Sequence, residues 1–385
     1  MVHVTKTIYL DHAATTPMAP EVIDVMTAAL TENYGNASSV HTLGKKNRVL
    51  IDYARKTIAT SIGAEATEII LTSGGTESDN MALIKTAEYY ADKGNHIITT
   101  NIEHPAVLNP LRYLETKGFD VTYLPADETG RIHLDQVKEA IRPETILVSV
   151  MYTNNEIGSV NPIREIGEYI DSLDQTIAFH TDAVQAFGTV ALDVKELKVD
   201  LLSASAHKMN GPKGIGLLYV RKGLNIPSLL MGGAQENEHR AGTENIPAIL
   251  AFEKAIQLNT ENRVENLERL TALKETFIRL LDEKRINYTQ NGDSEHSLPH
   301  ILSVNFPAVR SDMLLIKMDL NGIAMSAGSA CSAGSIEPSH VLVAMFGEDA
   351  NEIAHTVRFS FGLGNTIADI EYAVDLIEKF TKIES

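Results

Sequence analysis

Short apolar runs alternate with amphipathic stretches from about residue 45 to residue 260. Glu-Ile-Ile-Leu-Thr (68–72) has the length and branched content of a buried strand. Ser-Gly-Gly-Thr follows, then a helical pattern from Glu77 to about Lys93 that Gly94 stops. His-Ile-Ile-Thr-Thr (96–100) predicts the next strand, and Pro105 to Lys117 a helix ended by Gly118. Further strands are expected at 119–124, 145–150, 177–181, 199–203 and 214–221. This alternation predicts an α/β domain around a mostly parallel central sheet, with ligands gathering in the loops at the carboxyl ends of strands.

The rhythm changes near residue 243, where a long charge-rich helical stretch runs to 284. Beyond Pro299 come a strand at 301–306, a helix at 311–320, a strand at 356–361 and a helix at 366–382. The expected organisation is a large α/β domain over 15–260. A smaller α+β domain, built from 1–14 and 261–385, would carry a mobile cysteine loop at about 325–338.

Composition narrows the functional classes. The 385 residues hold 33 basic and 51 acidic side chains, a net charge of −18. No basic stripe is available for phosphates, so direct nucleic-acid binding is not expected, nor is an anionic membrane surface. No apolar run approaches the ~18 residues of a membrane span, and the first residues do not read as a signal peptide. A single cysteine excludes an internal disulfide and fits a reducing, cytoplasmic location.

That cysteine, Cys331, lies in Met-Ser-Ala-Gly-Ser-Ala-Cys-Ser-Ala-Gly-Ser, where the flanks offer little apolar surface to bury. Leu-Leu-Ser-Ala-Ser-Ala-His-Lys-Met-Asn-Gly-Pro (201–212) runs a strand into a small-residue loop holding His207 and Lys208. A lysine at a strand end facing a cleft is suited to Schiff-base chemistry. Asp182 ends another strand, and a buried carboxylate there needs a cationic partner such as a protonated pyridine nitrogen. Ser-Gly-Gly-Thr (73–76) joins strand to helix, where free amides make an anion site. Each piece has a plain structural reading: a small core cysteine, a surface lysine, a capping threonine. Lysine, aspartate and anion cradle together fit one ligand, pyridoxal 5′-phosphate.

The chain resembles the cysteine desulfurases of the NifS/IscS type, in the class V aminotransferase family of fold type I pyridoxal-phosphate enzymes. The resemblance runs almost end to end through Tyr-Leu-Asp-His-Ala-Ala-Thr-Thr-Pro (9–17), Gly-Asn-Ala-Ser-Ser-Val-His (35–41), Thr-Ser-Gly-Gly-Thr-Glu-Ser-Asp-Asn (72–80) and Glu-His-Pro-Ala-Val (103–107). It continues in Asn-Asn-Glu-Ile-Gly (154–158), the Asp182 and Lys208 segments, Arg-Ala-Gly-Thr-Glu-Asn (240–245) and Gly-Ser-Ala-Cys-Ser (328–332). It implies that Lys208 carries the cofactor as a Schiff base and moves the α-proton, that Asp182 holds the pyridine nitrogen protonated, and that Gln185 contacts the ring hydroxyl. Gly75, Thr76, Ser205 and His207 are then phosphate contacts. Thr243 reaches the phosphate of a neighbouring subunit, which implies a homodimer. His104 stacks on the ring and serves in proton transfer. Asn155 serves cofactor and substrate, and with Arg358 meets the carboxylate of L-cysteine. Cys331 takes the sulfur as a persulfide, leaving L-alanine, and passes it to an acceptor protein for iron–sulfur cluster assembly, tRNA or cofactor thiolation.

The resemblance has departures. Ala234 and Asn237 stand in Met-Gly-Gly-Ala-Gln-Glu-Asn-Glu-His-Arg (231–240) where the family has a glycine and an arginine, so altered loop or dimer contacts are expected. The sequence stops soon after its last helix, which reads as lacking the extension that iron–sulfur scaffolds use in some relatives. A class V transaminase has no use for Cys331, a selenocysteine lyase would prefer the selenium substrate, and Lys208, Asp182, His104 and Cys331 together argue against a non-catalytic pyridoxal-phosphate binder or a sulfur-relay adaptor.

Overall fold

The computed structural model describes residues 7–327 and 338–382. Twelve strands form in chain order: β1 (Ile8–Tyr9), β2 (Ile69–Thr72), β3 (His96–Thr100), β4 (Asp120–Leu124), β5 (Thr145–Ser149), β6 (Ala178–Asp182), β7 (Leu201–Ser205), β8 (Gly216–Val220), β9 (Thr289–Asn291), β10 (Ile301–Asn305), β11 (Ile323–Ala324) and β12 (Thr356–Ser360). Seven make one sheet in the order β2-β8-β7-β6-β5-β3-β4. Only β8 runs against its neighbours, so the sheet is mostly parallel, as the α/β alternation predicts.

Both faces of this sheet are covered, which explains its continuous apolar runs. Ile69, Leu71, Ile98, Val148, Phe179, Leu202 and Leu217 enter one core. Ile70, Ile97, Leu147, Ala178, Leu201 and Leu218 enter the other. Residues adjacent in sequence thus divide between the faces with the two-residue period of a strand. Fully burying one such leucine or phenylalanine contributes about 1.5–3 kcal/mol.

A three-stranded antiparallel sheet, β12-β10-β9, backs the second unit. Its core gathers Val304, Val357 and Phe359 with Phe277 from the helix Arg263–Glu283 and Ile370, Val374 and Ile377 from the helix Ile367–Thr381. The charge-rich stretch expected at 243–284 is two helices, Ile246–Glu261 and Arg263–Glu283. β1 pairs in parallel with β11, and the segment after β1 touches β12 through Asp11 and Ser360. This thread then passes Ala13 and Ala14 along the wall of a cleft at the carboxyl ends of the large sheet.

Candidate active site

Two sheet strands deliver their last residues to that cleft, and a third leads into the helix at its wall. β6 ends at Asp182, which is buried and accepts the Val184 amide at 2.9 Å. β7 ends at Ser205, and one short 3-10 turn places His207 and Lys208 beside it. β2 leads into Ser73 and Gly74, and the helix Gly75–Tyr89 begins at the cleft wall. Gly74 has φ +150, a conformation that L side chains rarely adopt. A side chain on Gly75 would meet the Val184 Cγ2 methyl at 2.8 Å, so the helix start packs this close to Val184 because the residue is glycine.

The cleft encloses about 330 Å³. It brings together Gly75, Thr76, His104, Asn155, Asp182, Gln185, Ser205, His207, Lys208 and Arg358. Thr243 is exposed and does not line it. Cys331 lies outside the described residues. The chain before that segment is held by antiparallel bridging of Ser326 with Arg358, and the chain after it by Ser339 Oγ donating to the buried Glu156 carboxylate.

Lys208 Nζ donates to the carbonyls of Ala13 and Ala14 at 2.5 and 2.9 Å. Arg358 is fully enclosed; its two terminal nitrogens donate to Asn155 O and Asp11 Oδ1, both at 2.8 Å. Its Nε has no partner among the described residues, and a buried guanidinium with an unused donor suits an incoming carboxylate. His104 caps the helix Pro105–Glu115 through Nδ1, which accepts the Ala106 amide at 3.1 Å. Burial lowers its pKa, with Asp182 opposing and Lys208 and His340 assisting. A neutral ring whose Nδ1 accepts carries its proton on Nε2.

Four buried carboxylates surround the site. Burial raises the pKa of Asp182, opposed by His104 and Lys208. Asp79 is pushed up further, by burial and then by Asp182. Its contact with His180 Nε2 at 3.6 Å is no ion pair, because burial lowers that imidazole to about 3. Glu103 and Glu156 are likewise raised by burial. A cation placed against Asp182 relieves this crowding.

Residues 8–373 match the aminotransferase class-V family. The chain belongs to that family. It is 47% identical over 375 residues to the cysteine desulfurase IscS of Dictyoglomus turgidum, covering 97% of this chain and 94% of that one. A solved NifS-like protein superposes with a TM-score of 0.91 at 34% identity, over 97% of this chain and 98% of that one. The structure described as SspA in complex with cysteine gives 0.82 at 37% identity, over 92% and 99%. The fold is accordingly that of the NifS-like pyridoxal-phosphate enzymes, as the motifs predict. Class V aminotransferases use pyridoxal 5′-phosphate, and this cleft fits it: an amine, a buried carboxylate that needs a cation, and a glycine-lined helix start face one another.

Asp11, Asp79, Glu103, Glu156, His300 and His340 escape the sequence reading. Asp79 and Glu77 stand in the same motif, and nothing local separates them. Glu77 pairs with Arg240 at 2.9 Å, while Asp79 turns into the core.

Proposed function

We propose that this chain is a pyridoxal-phosphate-dependent cysteine desulfurase that converts L-cysteine to L-alanine and holds the sulfur as a persulfide on Cys331. The observation that carries this reading is the convergence of Lys208, Asp182 and the Gly75–Thr76 helix start on one cleft that also holds buried Arg358.

When bound, the cofactor supplies an electron sink that lets the substrate's α-proton leave and weakens its carbon–sulfur bond. Lys208 is the amine for the cofactor aldehyde and the base at the α-carbon. Asp182 accepts the ring N–H. Gly75, Thr76, Ser205 and His207 take the phosphate, and Gln185 the ring hydroxyl. His104, on the cleft wall, would face the bound ring and offers its Nε2–H. Arg358 and Asn155 fix the substrate carboxylate and so choose which Cα bond faces Lys208. The Cys331 thiolate attacks the substrate sulfur. An S–S bond forms as the carbon–sulfur bond breaks, and the carbon keeps the electron pair and takes up the proton that the Cys331 thiol gave up.

The family resemblance gives Thr243, exposed on its loop, the role of reaching the phosphate site of a second copy, which would make the working form a homodimer. Asn237 and its neighbours Glu236 and Glu238 all have positive φ, and that loop is tied inward by Glu236 on Arg55. The sulfur leaves on an acceptor protein. No helix among the described residues is long and apolar enough to cross a membrane.

Single-turnover incubation of the yellow holoenzyme with L-cysteine tests the reading. One alanine and one persulfide per site are expected, and Cys331→Ala should keep its colour and yield neither. Alanine formation by that variant, or turnover of a keto acid, overturns it.

A further inference from the structure

Gln185 is buried at the cleft and its amide orientation is over-determined. One side of the amide lies 3.1 Å from the carbonyl of Ala13, which also receives Lys208 Nζ. A carbonyl can only accept, so the amide nitrogen occupies that side. The amide oxygen therefore faces the other way, where His300 Nε2 lies at 3.4 Å. An amide oxygen can only accept, so His300 carries its proton on Nε2.

His300 is itself held for this task. It sits immediately before β10, 8% exposed, lining a second cavity of about 300 Å³ and reaching the cleft through Gln185. Its Nδ1 has no partner among the described residues. Burial, with the charges of Lys274, His12, Lys208 and Arg358 on the elements around it, lowers its pKa to about 3, so the ring is neutral and Nδ1 is bare. A neutral ring with only one proton has one donor, and Gln185 receives it. With its oxygen and one N–H engaged, Gln185 keeps a single N–H for the cleft.

We propose that His300 is a positioning residue that clamps the Gln185 amide, so that its remaining N–H is presented to the ring oxygen of the bound cofactor. This rests on the cofactor reading above. A cofactor oxygen carrying negative charge gains from a donor fixed in advance, because no rotation has to be frozen on binding. Loss of His300 leaves a buried amide oxygen without a donor and frees the amide to turn.

The test uses full-length protein loaded with pyridoxal phosphate, with the absorption maximum and the cofactor dissociation constant read without substrate. His300→Leu removes the donor, His300→Gln restores an N–H, and Gln185→Leu removes the clamped group. The expected result for His300→Leu is a band shifted in the direction of Gln185→Leu, with binding about 2- to 10-fold looser, the worth of one neutral hydrogen bond. His300→Gln should recover most of both. Adding His300→Leu to Gln185→Leu should change neither further. A wild-type band and affinity in His300→Leu overturns the clamp. So does a further loss in the double variant equal to the single loss, a comparison that holds even if His300→Leu lowers stability. Absence of any cofactor band in the wild type overturns the cofactor reading, and the clamp with it.

Discussion

Glu103 is enclosed by protein on every side, and replacing it with glutamine should make the enzyme more stable as the pH rises. Its Oε1 accepts the Thr100 hydroxyl at 2.9 Å and the Met151 amide at 2.8 Å. Its Oε2 has no partner among the described residues. Burial pushes the carboxyl up to about 8, only partly opposed by those two donors. Between its ordinary value of 4.5 and about 8, the folded chain keeps a proton that the unfolded chain releases. Folded protein therefore binds more protons in that window, and stability falls as pH rises through it. At 1.36 kcal/mol for each tenfold step, the cost is about 1 kcal/mol at pH 5 and about 4 kcal/mol at pH 7.5. Glutamine keeps the Oε1 acceptor and places an amide where the protonated oxygen stood, with nothing to titrate. Glu103→Gln should thus gain about 3 kcal/mol over the wild type between those two pH values, or about 4 °C in Tm for a chain of this length. Thermal melts of both proteins across that range check it. A Tm difference that stays constant with pH would show that the carboxyl ionises freely, and the burial argument would fail.

Arg358→Gln should raise KM for L-cysteine about 10-fold or more, the worth of a charge-assisted contact, while cofactor binding followed by absorbance changes less. Borohydride reduction of wild-type holoenzyme should fix the cofactor to the peptide containing Lys208, and Lys208→Arg should leave the cofactor removable by dialysis. Arg55 binds both oxygens of Glu236 at 2.6 and 2.7 Å in a buried pair. Arg55→Met should cost about 3–5 kcal/mol by leaving Glu236 uncompensated, and the double variant R55M/E236M should recover most of that in urea titrations.

The parts of the fold that are legible in the sequence are those written in local pattern. Strand 96–100 and helix 311–320 occur where predicted, and the others fall within a few residues, because short branched runs bounded by glycine have few alternatives. β1 and β11 escape, since two residues in each carry no period and their pairing joins positions far apart in the chain. The reversed direction of β8 is also invisible: Gly214–Arg221 reads as another strand, and only the short β7–β8 connection decides its sense. The loops that line the cleft are legible because glycines, a lysine and an aspartate fall at or just beyond strand ends. Burial of Asp79, Glu103 and Glu156 is not, because a polar residue beside a motif looks the same whether it faces water or core. His300, after Leu298 and Pro299, reads as the start of a strand, and its contact with Gln185 spans 115 positions.

The thread Ile8–Ala14 sets a timetable for biosynthesis. Ala13 N donates to the Ser360 hydroxyl across 347 positions of chain, and Leu10 O receives the Ser360 amide. At ribosomal speed those partners emerge roughly 20–70 s apart. The large sheet needs neither, so it is free to fold while translation continues. Gln185 and His207 already hold Ala13 and Thr16, and the Ser360 clamp on Leu10 and Ala13 is added after residue 360 has left the ribosome. A nascent chain arrested before β12 therefore carries this thread on its bonds to Gln185, His207 and Lys208, without the Ser360 clamp at its other end.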